Sequence, residues 1–295
     1  MSYEYILYET VDDGEIAIIT LNRPGQRNAQ NRGLLIELDD AMIAAERDDR
    51  IKVVVLNAAG TVFSAGHDMG SKASLRERLA GPDQHPSFQE RGGTKEIVEQ
   101  TMLQEWHYFF TNTRRWRDLR KTTIASVQGN VYSAGLMLAW ACDLIVADET
   151  AVFADVVGTR LGMCGVEYFG HPWEFGFRKA KELLLTGDAI DADEAYRLGM
   201  VSKVFAEGRL EEDTLTFARR IAKVPSAAAI MIKESVNQAQ DNQGFYNSLQ
   251  AAFTLHELNH ANWAAISDTI VQTEETGGTG WAAAPPVRLA SKNTP

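Results

Sequence analysis

Phe63-Ser-Ala-Gly-His-Asp68 and Val127-Gln-Gly-Asn-Val-Tyr-Ser-Ala-Gly135 are the two stretches whose reading decides the fold. Each follows a β-branched run, Val53-Val-Val-Leu56 in the first case and Ile124-Ala-Ser-Val127 in the second. Such runs read as buried strands, and small residues after them let the backbone approach a ligand with its N–H groups exposed. Two N–H groups aimed at one carbonyl oxygen would form an oxyanion hole. The second stretch continues into Leu136-Met-Leu-Ala-Trp-Ala-Cys142, an apolar segment that reads as a buried helix, so a helix N-terminus would add its positive end to the same pocket.

Outward from these stretches, strand and helix signals alternate. Glu15 to Leu21 reads as a strand, Asn31 to Glu46 as an amphipathic helix and Ile51 to Asn57 as a second strand. Lys95 to Arg120 gives a long helix, Ile124 to Val127 a strand, Leu136 to Cys142 a helix and Leu144 to Ala147 another strand. After Val201 to Phe205 the pattern turns purely helical: Leu210 to Lys223, Ala227 to Gln240 and Phe245 to Ser267 or slightly beyond. The expected organisation is an α/β core over residues 1–205, a helical C-terminal part over 206–276 and a loosely ordered tail over 277–295. Gly81-Pro-Asp-Gln-His-Pro86 through Gly93 also reads as loose.

Composition excludes several classes. The 295 residues are 45% hydrophobic and 23% charged, which suits a globular chain. No run approaches the roughly 18 apolar residues that cross a bilayer, and the N-terminus lacks a signal-peptide pattern, so a cytoplasmic protein without membrane contact is expected. A net charge of −11 argues against a general nucleic-acid surface but allows a local basic patch for a phosphorylated small molecule. Two cysteines, Cys142 and Cys164, make neither a disulfide framework nor a metal spacing; structural thiols and no metal are expected.

The order and spacing of these pieces resemble the enoyl-CoA hydratase/isomerase family, the crotonase superfamily, from about residue 13 to residue 240. Leu21-Asn-Arg-Pro24 with Arg27-Asn28 comes first, then the two glycine stretches, with Cys142-Asp143 after them. Leu185-Thr-Gly-Asp188, Ala195 to Gly199 and Leu198-Gly-Met-Val-Ser202 complete the set. The resemblance implies an α/β fold built as a spiral of ββα units, with a helical C-terminal region used for assembly into a homotrimer or a hexamer of paired trimers. It also implies an acyl-CoA thioester as ligand, with no cofactor beyond the coenzyme A carried by the substrate.

Carried over by position, the resemblance places the oxyanion-hole donors at the N–H groups of His67 and Ala134. In the hydratases a glutamate lies two residues after the last glycine of the second stretch, where this chain has Met137. A second glutamate about twenty residues on falls here at Val157 or Gly158. Hydration needs a water deprotonated while a proton is delivered to carbon, so the ordinary hydratase mechanism is not expected. Glu167 lies near where some relatives carry an acidic residue reaching the acyl group and is the first candidate base. Asp155 is the second, with a turn-capping role as its simpler reading.

Ala65, Gly66, Asp68, Gly135, Met137 and Tyr168 are expected around the acyl group, and Arg27 and Lys72 near the coenzyme A phosphates. His67 could pair with Asp68 through its imidazole, and His171 begins what resembles the helix after the catalytic loop. Trp106 to Phe110 form an aromatic block suited to the core or to lining an acyl chain. The expected activity is acyl-CoA chemistry through a thioester enolate or oxyanion. An isomerase needs only one base; a thioesterase or C–C hydrolase and a non-catalytic acyl-CoA-binding paralogue are the other readings.

Overall fold

A computed structural model describes residues 3–77, 102–270 and 287–290. Its main sheet has six strands in the order β1 (Ile6–Val11), β2 (Ile16–Leu21), β3 (Val53–Ala58), β4 (Thr122–Val127), β6 (Leu144–Asp148) and β9 (Lys203–Phe205). All neighbours pair parallel except β1, which lies antiparallel against β2. A second sheet joins β5 (Asn130–Tyr132), β7 (Val152–Ala154) and β8 (Ile190–Asp191).

The strands are apolar on both sides because both sides are covered. Ala17, Ile19, Leu21, Val54, Leu56, Ala125 and Val127 face one way, toward Leu34, Leu35, Leu38 and Met42 of α1 (Arg32–Arg47). Ile16, Ile18, Val53, Val55, Ile124 and Val146 face the other way, toward Ala218 and Ala222 of the helix Leu210–Ala222. Glu77 caps α1, accepting the N–H groups of Arg32 (2.8 Å) and Gly33 (3.1 Å), which the helix itself leaves without partners.

The expected elements are present with ends shifted by a few residues, including the C-terminal helices Ser226–Asn242 and Phe245–Ile270. Strands β1, β5, β7 and β8 are additions to the sequence reading. The long helix expected from Lys95 is described from Met102, and over Glu105–Thr111 it is a π-helix. The loose segment 81–93 lies outside the described residues, as does the tail apart from 287–290. Within 287–290, Ala189 N–H donates to Arg288 O and Ala290 N–H to Ala189 O, both at 2.7 Å, around an isolated bridge between Ala189 and Leu289.

Because β3 and β4 are hydrogen-bonded neighbours, the chain leaves their C-terminal ends side by side, and the two glycine stretches pair. Phe63 N–H donates to Gln128 O, Ser64 N–H to Asn130 O, and Tyr132 N–H to Ser64 O at 2.9 Å. This approach depends on glycine. At Gly129, whose φ is +54°, a Cβ would stand 2.0 Å from the Thr61 carbonyl oxygen. Gly129→Ala should therefore cost at least about 2 kcal/mol of stability, whereas Gly25→Ala, with open space around the new methyl, should stay within about 0.5 kcal/mol. Denaturant midpoints at constant slope make the comparison, and equal midpoints would contradict the packing.

Candidate active site

Asn28 prepares the first stretch from below. Fully buried with φ +50°, it accepts Arg23 N–H at 2.8 Å and donates to Ala59 O (2.9 Å) and Val62 O (2.8 Å). Ser64 Oγ then bonds Asn28 O, and Ala65 N–H donates to Arg27 O. Gln30 bridges the end of the stretch, donating to Gly66 O (2.8 Å) and accepting Asp68 N–H (2.9 Å). Both bonds skip His67.

Among the described residues neither His67 N–H nor Ala134 N–H has an acceptor. The two lie close: a Cβ on Gly66, φ +96°, would be 3.3 Å from Ala134 N and 3.1 Å from Tyr132 O. On Gly135 it would be 2.7 Å from Ser64 O, so both glycines hold the stretches together. Ser133 turns the chain into Ala134–Trp140 at φ 48°, ψ −116°, a costly conformation for a residue with a Cβ that the flanking bonds of Ser133 N–H to Ala154 O and Leu136 N–H to Ser133 O hold in place. The apolar segment is thus a helix, but only seven residues long.

The His67 imidazole stacks on Phe109 at 3.7 Å between centroids, and its Nε2 lies 3.1 Å from Glu167 Oε2. Phe109 reaches it from the π-helical turn, a backbone form that often marks functional sites. Burial alone would raise the Glu167 carboxyl, as its setting beside Tyr168 and Phe169 suggests. Attraction to His67, its hydrogen bond and the further charge of His256 outweigh that and bring it down to about 2. Asp68 does not pair with His67. It is bound to Arg23 at 2.8 Å and to the Ser71 hydroxyl and N–H.

Asp155 is a buried anchor for the same loop. Its Oδ1 accepts Val157 N–H at 3.0 Å, and its Oδ2 accepts Val166 N–H at 3.0 Å beside His171 Nε2 at 2.9 Å. Tyr168 packs in the core against Phe245, and Met137 is buried, so no carboxylate occupies the first hydratase position. Val157 and Gly158 begin a short helix, Val157–Leu161. Lys72 borders a surface pocket of about 500 Å³ with Arg23, Pro24, Gln26 and Ser71; Arg27, in left-handed conformation, is not among its walls. Within the aromatic block Tyr108 and Phe110 are buried, while Trp106 is half exposed.

The sequence reading misses the groups behind Glu167. His256 Nε2 lies 3.6 Å from Glu167 Oε1 and 3.6 Å from Glu105 Oε2, and His260 Nδ1 lies 2.9 Å from the same Glu105 oxygen. Burial alone would lower the His256 imidazole; the Cys164 thiol, Glu105 and Glu167 push it up to about 11. Glu257, next along the helix, is raised to about 8 by burial and by repulsion from Glu105. No metal ligands are expected from the sequence, yet Glu105, His256 and His260 bring one ligand atom each within 4.8 Å of one another.

Comparison with known proteins gives this fold a family. The family model for enoyl-CoA hydratase/isomerase matches residues 12–264. A Mycobacterium tuberculosis protein assigned as enoyl-CoA hydratase EchA13 is 62% identical over 99% of this chain and 93% of its own. 4-Chlorobenzoyl coenzyme A dehalogenase-2 from an Arthrobacter species is 30% identical over 76% of this chain and 75% of its own. Among solved structures, one assigned as an enoyl-CoA hydratase from Mycobacterium smegmatis aligns at TM-score 0.78 and 43% identity, covering 89% of this chain and 97% of that one. The chain belongs to the enoyl-CoA hydratase/isomerase family of enzymes.

If Asp155 anchors the loop, Asp155→Asn, which leaves one oxygen to serve three donors, should lower stability by about 1–3 kcal/mol. Chemical denaturation measures it. An unchanged midpoint together with lost turnover would make Asp155 a chemical group instead.

Proposed function

We propose that this enzyme shifts the double bond of an enoyl-CoA, with a thioester enolate held by the N–H groups of His67 and Ala134 and one carboxylate, Glu167, carrying the proton. The observation behind this reading is the 3.1 Å contact between Glu167 and the side chain of His67, whose backbone N–H has no acceptor among the described residues. It puts an ionised carboxylate one residue's width from the oxyanion donors.

Glu167 removes a proton from the α-carbon of a 3-enoyl thioester, and the electron pair of that C–H bond delocalises onto the carbonyl oxygen. Return of the proton from Glu167 to the γ-carbon then leaves the 2-enoyl isomer. Nothing else need be consumed. Hydration would require a second group to hold water, and Met137 with the Val157–Gly158 turn supplies none. Ala65, Gly66, Gly135 and Met137 surround the acyl group in this reading, with Asp68 setting the loop through Arg23. The pocket beside Lys72 takes the coenzyme A end, Arg27 lies at its margin, and Tyr168 supports Glu167 from the core. Asp155 acts through the loop.

A second reading, a non-catalytic acyl-CoA binder, is favoured by one feature: Glu167 is already engaged by His67 and faced by His256. Assembly into a trimer, or a hexamer of paired trimers, fits the helix Ser226–Asn242, which buries no residue within the chain yet carries exposed Met231, Ile232 and Val236. Among the described residues no helix is long and apolar enough to cross a membrane. A cytoplasmic setting is part of the proposal, supported by the free thiols.

Exchange of α-protons of a 3-enoyl-CoA with deuterated water, followed by NMR, tests the mechanism. Glu167→Gln should bind the thioester about as well as the parent and exchange at least about a hundredfold more slowly. Equal exchange in both proteins would remove Glu167 from the mechanism, and absent exchange in a binding-competent parent would favour the binder.

Crotonyl-CoA hydration should run about a thousandfold or more below that of a hydratase carrying two glutamates. A comparable rate would show that another group holds the water.

A further inference from the structure

We infer that Glu105, His256 and His260 form a binding site for one divalent transition-metal ion, zinc in the first instance, which ties the C-terminal helix to the wall of the acyl site. The two histidines stand four residues apart on Phe245–Ile270, in His256-Glu257-Leu258-Asn259-His260, a spacing that puts both rings on one helix face. A His-Glu-x-x-His run on a helix is a zinc-ligand pattern when a third ligand faces it. Here that ligand comes from 151 residues earlier in the chain: Glu105, at the start of the π-helical turn.

The spacing fits an ion. Zinc bonds of about 2.0–2.2 Å at tetrahedral angles place donor atoms about 3.3–3.6 Å apart. Glu105 Oε2 lies 3.6 Å from His256 Nε2 and 2.9 Å from His260 Nδ1, and all three ligand atoms lie within 4.8 Å of one another, so an ion is reached by side-chain shifts that open the second distance by about half an ångström.

One buried nitrogen points inward, and an unpaired carboxyl lies beside it. His256 is 3% exposed, and among the described residues its Nε2 has no partner at hydrogen-bond distance, with Glu105 and Glu167 both at 3.6 Å. Its other nitrogen, Nδ1, lies 2.8 Å from Gly165 O. With Nδ1 donating to a carbonyl, the usual second contact of a metal-ligating histidine, Nε2 is the nitrogen left for an ion, which would bind there by displacing the proton that the neighbouring carboxylates hold on the ring. The other feature is Glu257, which feels Glu105, His256 and His260 and whose two buried oxygens have no hydrogen-bond partner among the described residues. A buried carboxylate in that condition is costly unless a cation or water reaches it.

Imidazole and carboxylate donors suit zinc and its neighbours rather than magnesium or calcium. The ion would join the helix to the turn whose Phe109 stacks on His67. Cys164, a thiol beside His256, is placed to follow the metal without being one of the three grouped ligands. None of this depends on which acyl-CoA reaction the enzyme performs.

The test is a zinc titration of the whole chain after chelator treatment and buffer exchange, with no acyl-CoA present, read by calorimetry and by metal analysis of the dialysed protein. One zinc ion per chain with a dissociation constant below about 1 µM is expected, and Glu105→Gln and His260→Ala should each weaken it at least about tenfold. Glu105→Gln keeps the side-chain shape and His260 is partly exposed, so circular dichroism can confirm that both variants fold. Cobalt in place of zinc should give visible d–d bands in the parent that both variants lose. No stoichiometric binding to the parent would overturn the site. So would equal affinity in parent and both variants, which would mark the metal as adventitious.

Discussion

The structure depends on two loops that could not pass so close if either carried ordinary side chains. Ser64 lies between Asn130 and Tyr132 in a short parallel ladder, and the chain can sit there because Gly129 and Gly135 face backbone carbonyls where a Cβ would be 2.0 and 2.7 Å away. The parallel pairing of β3 with β4 delivers the loops to one edge of the sheet. From that contact follow the paired N–H groups, the forced turn at Ser133 and the direction in which His67 must point. Packing of α1 and of Leu210–Ala222 on opposite faces makes the sheet rigid enough to hold the arrangement.

The second organising feature is charge kept away from water. Glu105, His256, Glu167 and His67 form a chain of alternating acid and imidazole that runs from the π-helical turn through the C-terminal helix to the first glycine stretch, with contacts of 3.6, 3.6 and 3.1 Å. Buried ion pairs add little net stability relative to apolar packing, yet losing one partner strands the other. Such a chain is better explained by positioning than by stability. It fixes the Glu167 carboxylate and the His67 ring, while Asp155 fixes the backbone that leads to Glu167 through Val157 and Val166. Asp155 and Glu167 thus serve the same loop differently.

The sequence made the glycine stretches and the main strands legible because their signals are local: β-branched runs, small residues and apolar periodicity. Strand β1 escaped because it is an edge strand with Ile6 alone buried and Glu9 and Thr10 both exposed, which breaks the period-two pattern that marks a strand. The pairings of side chains were harder still. Asp68 stands next to His67 in sequence, yet its carboxylate turns to Arg23 and Ser71 while Glu167, a hundred residues on, takes the imidazole. Adjacent residues in an extended stretch point to opposite sides, which disfavoured the local pair from the outset. His256 and His260 were in view as part of a helix, but only the fold brings Glu105 to them.

Vibrational spectroscopy of a bound thioester addresses the central claim most directly. With crotonyl-CoA carrying a ¹³C label at the carbonyl, the infrared difference spectrum isolates one C=O stretch. Two preorganised donors in a dry pocket polarise that bond, so it should move to lower wavenumber on binding, and the shift should shrink in an Ala134→Pro protein that still binds the ligand. A bound carbonyl absorbing at its solution frequency in the parent would contradict the account.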